Sequence, residues 1–539
     1  MADVPSSNSD PAPASGLAKL AHDRAVKVEQ IRALGLDPYG QRTEGILAID
    51  SARARYDATA DAAFKARTSE SSATDARPVV RIAGRVVLHR DTGKLIFMNL
   101  RDATGDVQVA VSKRDCEEAG FAFAKLLDLG DVIVADGPLG TTKTGEVTVW
   151  ATRIIPAVKS LEPPPEKHAG LQDVELRYRQ RYVDMWANPE TIRVQRLRSR
   201  MLARLREFFA AREYIEVETP VLQALAGGAA ARPFITHMNA LDINLYLRVS
   251  PELYLKRLLV GGLPRVYEVS RNFRNEGLDR SHNPEFTMVE CYEAFADYSV
   301  MMELTESLVR DLAMMVTAQA EHAWLASHRA KEAGASESDS SVTPGRIDYA
   351  GHMIDYTRPF ERVRYGDLFK KGLGFEMRDA DRVKAEAVRR GIKPMDHWLL
   401  VGELFEQSAE PLIDPSMPTF VMDYPAALCP LTRSSRSEPD IAERFELYIG
   451  GMEIANAYTE LNDPAIQEAK FREQLAGLDD EESTFRTLDE DFLRALRVGM
   501  PPAGGMGIGI DRLAMLLTGE RSIRDVMLFP LMRPTVLGE

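Results

Sequence analysis

YEVSRNFRNEG, residues 267–277, and DRSHNPEFTMVECYEAF, residues 279–295, are two strand-like runs around a polar loop at Gly277 to Asn283. In an extended chain alternate residues share a face. Arg274 and Glu276 therefore point one way, and Phe286, Glu290 and Tyr292 share a face with Met288 between them. A sheet face carrying an arginine, a phenylalanine and carboxylates is expensive as plain core, because buried charges must be paired. Two readings follow: a structural ion-pair network, or a pocket for a ligand with both charge signs. In the second, Arg274 holds an anion, Glu290 a cation, and Phe286 offers a flat surface for stacking.

Outward from this pair, INLYLRVS, RFELYIG and MEIANAY are further strand-like runs. Helices and strands mix from Asp173 onward without the rhythm of a parallel sheet, so an α+β domain with a large antiparallel sheet flanked by helices is expected. Within it, ERFELYIGGMEIANAYTELND (Glu443–Asp463) turns at Gly450–Gly451, a pair suited to a tight hairpin. With that two-residue loop Glu446 pairs opposite Ala455, and Glu453 lies on the Glu446 face. Two adjacent carboxylates repel unless a cation sits between them, and hard oxygen ligands suggest magnesium. Simple alternation sends Asn456, Tyr458 and Glu460 to the other face. If all five residues line one site, the strand carries a β-bulge near Ala455, and one is expected.

GGMGIGIDRLAMLLTG (Gly504–Gly519) alternates glycine with apolar residues before Asp511–Arg512 opens a helix. It lacks the third glycine and the βαβ surroundings of a dinucleotide fingerprint. A glycine-lined strand that lets a ligand approach the backbone is the better reading. Arg512 then supplies a fixed positive fork near phosphate.

Ahead of this domain the composition changes. VVRIAGRVVLHR, KLIFMNLRD, DVQVAVS, DVIVADGPLG and EVTVWATRII lie between Val79 and Ile155, with a helix at Arg114 to Leu127 interrupting them. Five short strands with a helix in that place match an OB-fold, whose face binds single-stranded nucleic acid. A barrel with no such ligand is the alternative. The domains expected are a disordered tail (1–16), a helical segment (17–75), the barrel (78–160), a Pro-rich linker (161–172) and the sheet domain (173–539), with a polar surface loop at about 325–347. Helical stretches are expected at Leu17 to Leu34 and Ile46 to Arg67.

The chain has 539 residues, a net charge of −14 and three widely spaced cysteines, Cys116, Cys291 and Cys429. No zinc cluster or disulfide framework is suggested, and no run of ~20 apolar residues suggests a membrane span. The start lacks a secretory signal, so a reducing cytoplasm is the expected compartment. The negative charge alone argues against a nucleic-acid partner, but arginines crowd Arg177 to Arg212. They make either a local basic face or a solvated helix with flanking salt bridges.

These motifs resemble the class II aminoacyl-tRNA synthetases and, within them, the lysyl-tRNA synthetases (lysine–tRNA ligases). EYIEVETP (Glu213–Pro220), RNFRNEG with HNPEFTMVECY, and GMGIGIDRLAM are similar to the three class motifs in order. GGAAARPFITH, LRVSPELYLKRLLVGG, TELNDP and IRDVMLFP resemble the lysine branch. The resemblance runs from about residue 17 to the C-terminus.

It implies ATP-dependent attachment of L-lysine to tRNA(Lys) through lysyl-adenylate, by a cytoplasmic homodimer using Mg2+ with ATP as co-substrate. Arg274 and Arg512 are the implied catalytic residues, Arg274 holding the lysine carboxylate and α-phosphate, Arg512 gripping the γ-phosphate. Glu276, His282, Asn283, Phe286 and Gly509 complete the implied ATP site, and Glu446 and Glu453 the metal site. Gly228 and Glu252 receive the α-ammonium. Glu290, Tyr292 and Glu460 receive the side-chain ammonium, with Asn456 and Tyr458 shaping the pocket. In the barrel, Phe97 stacks on an anticodon base while Arg90, Gln108 and Glu146 bond to base edges. His89 departs from a second basic residue often found beside Arg90. An aspartyl- or asparaginyl-specific relative would need a cationic side-chain pocket. An adenylate-forming protein modifier would lack the barrel, and a non-enzymatic module would lose Arg274, Arg512 or the metal carboxylates.

Overall fold

The computed structural model describes residues 16–67, 74–163, 171–228, 231–334, 342–476 and 488–534. The expected tail, most of the Pro-rich linker and part of the polar loop lie outside the described residues. Two compact units divide the chain, Met1–Ile192 and Arg193–Glu539.

In the first unit the strands are β1 (Val79–Asp91), β2 (Leu95–Arg101), β3 (Asp106–Ser112), β4 (Val132–Thr141), β5 (Val147–Ala151) and β6 (Arg153–Val158). Their order is β1-β2-β3-β5-β4-β6, and a β1–β4 pairing closes the barrel. The run expected as one fifth strand splits at Thr152 into β5 and β6. Alternation sends Ile96, Met98, Leu100, Val109 and Val149 into a fully buried core. Phe97, between Ile96 and Met98, therefore lies on the outer face. The expected helix at 114–127 is shorter, Glu118–Ala124, and the stretch 46–67 forms two short helices, Ile49–Arg53 and Ala58–Lys65.

The second unit contains β7 (Ile215–Glu216), β8 (Leu222–Gln223), β9 (Ile235–Met238), β10 (Ile243–Leu247), β11 (Arg265–Phe273), β12 (Glu285–Ala294), β13 (Arg346–Tyr349), β14 (His352–Asp355), β15 (Glu361–Arg364), β16 (Thr419–Pro425), β17 (Ile441–Ile449), β18 (Met452–Thr459) and β19 (Ala503–Gly509). Eight of them form one sheet, β15-β16-β17-β18-β19-β12-β11-β7. All neighbours are antiparallel except β15–β16 and β7–β11. Helices Pro189–Ala210, Tyr298–Thr317 and Ile510–Thr518 supply buried residues to the apolar cluster that it shares with the sheet. The polar stretch beginning at 325 is not wholly loop. Helix Ala320–Glu332 runs into it, because Leu325 is buried against the core and fixes that turn. Among the described residues no helix is long and apolar enough to cross a membrane.

The arginine-rich helix is largely consumed by ion pairs within its own unit. Arg198 meets Asp511 at 2.7 Å, Arg200 meets Glu321 at 2.5 Å and Arg204 meets Asp311 at 2.7 Å. The solvated-helix reading, with flanking salt bridges, is the one that holds for these residues.

Candidate active site

The expected β-bulge is present. In the β17–β18 hairpin Tyr448 pairs with Glu453 and Leu447 with Ala455, leaving Ile454 as the extra residue. One inserted residue reverses the alternation beyond it. Glu446 consequently faces Asn456, not Ala455, and Arg444 faces Tyr458. Without the bulge, the Asn456 and Tyr458 side chains would sit on the opposite side from the Glu446 carboxylate.

Two adjoining cavities open on this face. One, of about 350 Å³, is lined by Gly228, Ser250, Glu252, Glu290, Tyr292 and Tyr458 among others. The second, of about 210 Å³, is lined by Glu276, His282, Asn283, Phe286, Gly509 and Arg512 together with Glu453. Arg274, Met288, Asn456 and Gly507 line both. Arg274 lies 5.1 Å from the Phe286 ring, and its buried Nε has no hydrogen-bond partner among the described residues. An unfilled donor between two cavities is suited to an anion shared by two ligands.

The first cavity is acidic. Glu290 is buried; its Oε1 accepts from Ser250 Oγ at 2.9 Å and its Oε2 from Tyr292 Oη at 3.1 Å. Burial and the neighbouring Glu252 push its carboxyl up to about 8, which favours a proton there at neutral pH. Glu460 does not line the cavity. It lies behind it, fully buried and ion-paired with Lys256, which also donates to Glu252 Oε1 at 2.7 Å. Burial raises the Glu460 pKa while Lys256 opposes the rise. Burial works against the Lys256 ammonium, yet Glu252 and Glu460 hold its pKa above the usual value. Two carboxylates, Glu252 and Glu460, thus share the Lys256 ammonium, and the nearby Glu290 carboxyl has no ion pair among the described residues, so the cavity accepts further positive charge.

The glycines of β19 make this packing possible. A Cβ at Gly505 would overlap Glu460 Oε1 and the Tyr292 ring, and one at Gly507 would meet Met288 Cε at 3.1 Å. Gly228, at φ +86°, would press a Cβ on Ser250 and Glu252 at 3.2–3.3 Å.

In the second cavity Arg512 is fixed by donation to the Glu453 carbonyl at 2.9 Å and by contact with His282 Nε2 at 2.7 Å. His282 Nδ1 in turn lies 2.7 Å from Asp279 Oδ2. Asn283 donates to the Glu285 carbonyl at 2.7 Å, while its buried Oδ1 is left unfilled. Glu446 accepts from Tyr424 and Tyr448 at 2.7 Å each and pairs with Arg444. Burial and then Glu446 raise the Glu453 pKa. This mutual repulsion between carboxylates is what a divalent cation relieves. Among the described residues no group of three His, Cys, Asp or Glu side chains could hold a metal unaided, so added ligands would be needed.

Four residues that sequence reading passed over complete the arrangement: Ser250, Lys256, Arg444 and Asp511. Asp511, buried, accepts from the Thr287 N–H at 2.7 Å and tethers its helix to β12. The sequence offered one sign of it, an aspartate at the mouth of an apolar helix.

In the barrel the ladder sets Arg90 opposite Phe97, and Asn99 opposite Gln108, on the outer face. Thr148, next to Gln108, donates to its Oε1 at 2.9 Å, and Glu146 is exposed two residues before Thr148. His89 alternates away from Arg90 and its Nε2 lies 2.9 Å from the Ala124 carbonyl oxygen.

Two family profiles match: "tRNA synthetases class II (D, K and N)" over residues 173–533 and "OB-fold nucleic acid binding domain" over residues 80–157. The chain is 41% identical over 523 residues to a lysine–tRNA ligase of Carboxydothermus hydrogenoformans, covering 96% of this chain and 99% of that protein. It is 42% identical over 526 residues to that of Pelotomaculum thermopropionicum, covering 96% of each. Against that of Aquifex aeolicus it is 44% identical over 468 residues, covering 85% of this chain and 73% of the other. With its closed barrel, antiparallel sheet and paired cavities, the chain belongs to the class II aminoacyl-tRNA synthetases, in the lysine–tRNA ligase family.

Proposed function

We propose that the chain charges tRNA(Lys) with L-lysine through a lysyl-adenylate. The observation that carries the choice of amino acid is the buried Glu290 carboxyl, with Ser250 and Tyr292 beside it and, among the described residues, no cation in an ion pair with it. A buried ammonium requires such partners. Lysine enters the larger cavity with its α-ammonium toward Glu252 and Gly228 and its side-chain ammonium toward Glu290 and Tyr292. Glu460 acts from behind through the shared charge cluster, and Asn456 and Tyr458 bound the pocket.

ATP occupies the smaller cavity, its adenine against Phe286 and near Asn283 and Gly509, with Glu276 and His282 contacting the nucleotide. Arg274 bridges the lysine carboxylate and the α-phosphate. That brings nucleophile and electrophile together and neutralises charge that builds as the carboxylate attacks phosphorus and pyrophosphate leaves. Arg512 holds the γ-phosphate. Glu446 and Glu453 would hold Mg2+, which would offset the charge of the phosphates. The 3′-hydroxyl of the tRNA terminal adenosine then attacks the adenylate carbonyl and AMP leaves. No side-chain nucleophile is required.

The outer barrel face is the proposed anticodon site, with Phe97 stacking and Arg90, Gln108 and Glu146 reading base edges. A homodimer is supported by a cluster of exposed apolar residues, Leu222, Ile235, Met238, Leu241 and Ile243, at 40–64% exposure in or beside the β8-β10-β9 sheet. Three free buried cysteines fit a cytoplasmic setting. Charging of tRNA(Lys) transcripts with an intact and an altered anticodon tests the reading. Charging that depends on lysine and on the anticodon is expected; equal charging of both transcripts would remove the barrel's role.

A further inference from the structure

One row of the barrel runs across three strand pairings: Arg90 opposite Phe97, Phe97 opposite Ala110, Ala110 opposite Trp150. All four side chains share the outer face, because the partners of this row alternate with the buried core positions Ile96, Val109 and Val149. Phe97 and Trp150 stand two strand spacings apart, about 10 Å. Ala110, between them, is buried at 1% exposure, so the side chains around it close over its methyl group.

Trp150 is partly exposed, and among the described residues no ring, cation or hydrogen-bond partner engages its indole. Such a side chain ordinarily finds one. Gly140 makes room for one edge of the ring, since a Cβ there would lie 3.2 Å from Trp150 Cδ1. The rest of the indole borders a shallow cleft of about 490 Å³ whose rim carries Lys94, Lys113 and Arg114. The Lys113 N–H donates to the Lys94 carbonyl at 2.9 Å, which fixes the two lysines side by side. Neither has an ion pair among the described residues, and Arg114 is held only by Asp115, itself exposed, at 2.8 Å. That pair is worth little in water. The chain carries −14 overall, so three cations beside an unpartnered indole are a local reversal of sign.

We propose that Trp150 is a second stacking platform on this face, taking a single-stranded RNA nucleotide of the tRNA anticodon loop next to those at Phe97, with Lys94, Lys113 and Arg114 on its phosphates. The stretch of loop read by the barrel is thereby longer than the Phe97 site alone. The proposal rests on the anticodon reading above, and the test separates the two.

Full-length wild type, Trp150→Ala, Trp150→Phe, Phe97→Ala and the triple variant Lys94→Ala/Lys113→Ala/Arg114→Ala are compared in charging of a tRNA(Lys) transcript, with lysine-dependent ATP–pyrophosphate exchange as the control. Trp150→Ala is expected to raise the KM for tRNA about 10-fold, within the ~5- to 150-fold range of one lost stack. Trp150→Phe should stay within about 3-fold of wild type, since an aromatic face is retained. The triple variant should flatten the salt dependence of the tRNA KM by one to two ~0.7 steps in log–log slope. Exchange should be unchanged in all of them. Phe97→Ala impaired with Trp150→Ala and the triple variant at wild-type KM and salt slope would overturn the proposal and leave the anticodon reading standing. Phe97→Ala and Trp150→Ala both at wild-type KM would overturn both.

Discussion

The acidic cavity and the barrel face carry their charged side chains in opposite ways. In the pocket, Glu252, Lys256, Glu290 and Glu460 are buried, and each charge depends on its neighbours. On the barrel, Arg90 and Glu146 are exposed, and Phe97 is partly exposed on the outer face of a well-packed sheet. Burial makes the pocket's electrostatics strong and its packing intolerant; exposure makes each barrel contact modest and separable. Single substitutions should therefore be severe and coupled in the first region, mild and independent in the second.

The largest effect is expected at Lys256. Lys256→Met removes the cation shared by Glu252 and Glu460 and should lower stability by ~3–5 kcal/mol. Denaturant unfolding measures it, and adding Glu460→Gln to the same chain should recover part of the loss. Full additivity of the two substitutions would break the contrast drawn here.

Next is Arg274→Ala. Loss of the group between the two cavities should reduce kcat/KM for lysine-dependent exchange by ~10²–10³-fold, the size of one lost oxyanion-type donor. Nitrocellulose filter binding should record unchanged affinity for tRNA.

Phe97→Ala should weaken tRNA charging by ~1–3 kcal/mol through its KM while leaving exchange untouched. A drop in exchange would mean that the barrel substitution is not local.

The last effect is graded with pH and amounts to about tenfold per unit. Burial and then Glu252 push the Glu290 carboxyl up to about 8, with Ser250, Tyr292 and Arg274 opposing the rise and Glu460 and Lys256 nearby. Its pKa is raised, so below 8 a proton must leave before an ammonium binds. Lysine affinity should therefore rise roughly 10-fold per pH unit from 6 toward 8 and then level off. Calorimetry in buffers of different ionisation enthalpy should record proton release on binding at pH 7. No buffer dependence would remove Glu290 as the titrating group.

Much of this was legible in the sequence wherever period 2 alone governs. Glu290 and Tyr292 could be assigned to one face from spacing, and Phe97 to the face opposite Met98 once strand and register were accepted. The bulge was inferable because five polar residues could not otherwise meet. Glu460 was read as a partner of the side-chain ammonium; what the sequence did not reveal is its ion pair with Lys256, on helix Glu252–Val260. Nothing local in PELYLK distinguishes a buried lysine from a solvated one; only the tertiary meeting with Glu460 does. Asp511 and Ser250 escaped notice for the same reason, as their partners, the Thr287 N–H and Glu290, come from other segments. The polar stretch after Trp324 was read as loop from composition, although one buried leucine was enough to hold helix there.

The account turns on Glu290 choosing lysine by charge. The direct measurement is ATP–pyrophosphate exchange by wild type and Glu290→Gln with each standard amino acid and with norleucine. Wild type should respond to lysine alone, and Glu290→Gln should lose ~3 kcal/mol or more of the preference for lysine over norleucine. Undiminished preference in Glu290→Gln, or wild-type exchange driven by aspartate or asparagine, would contradict the account.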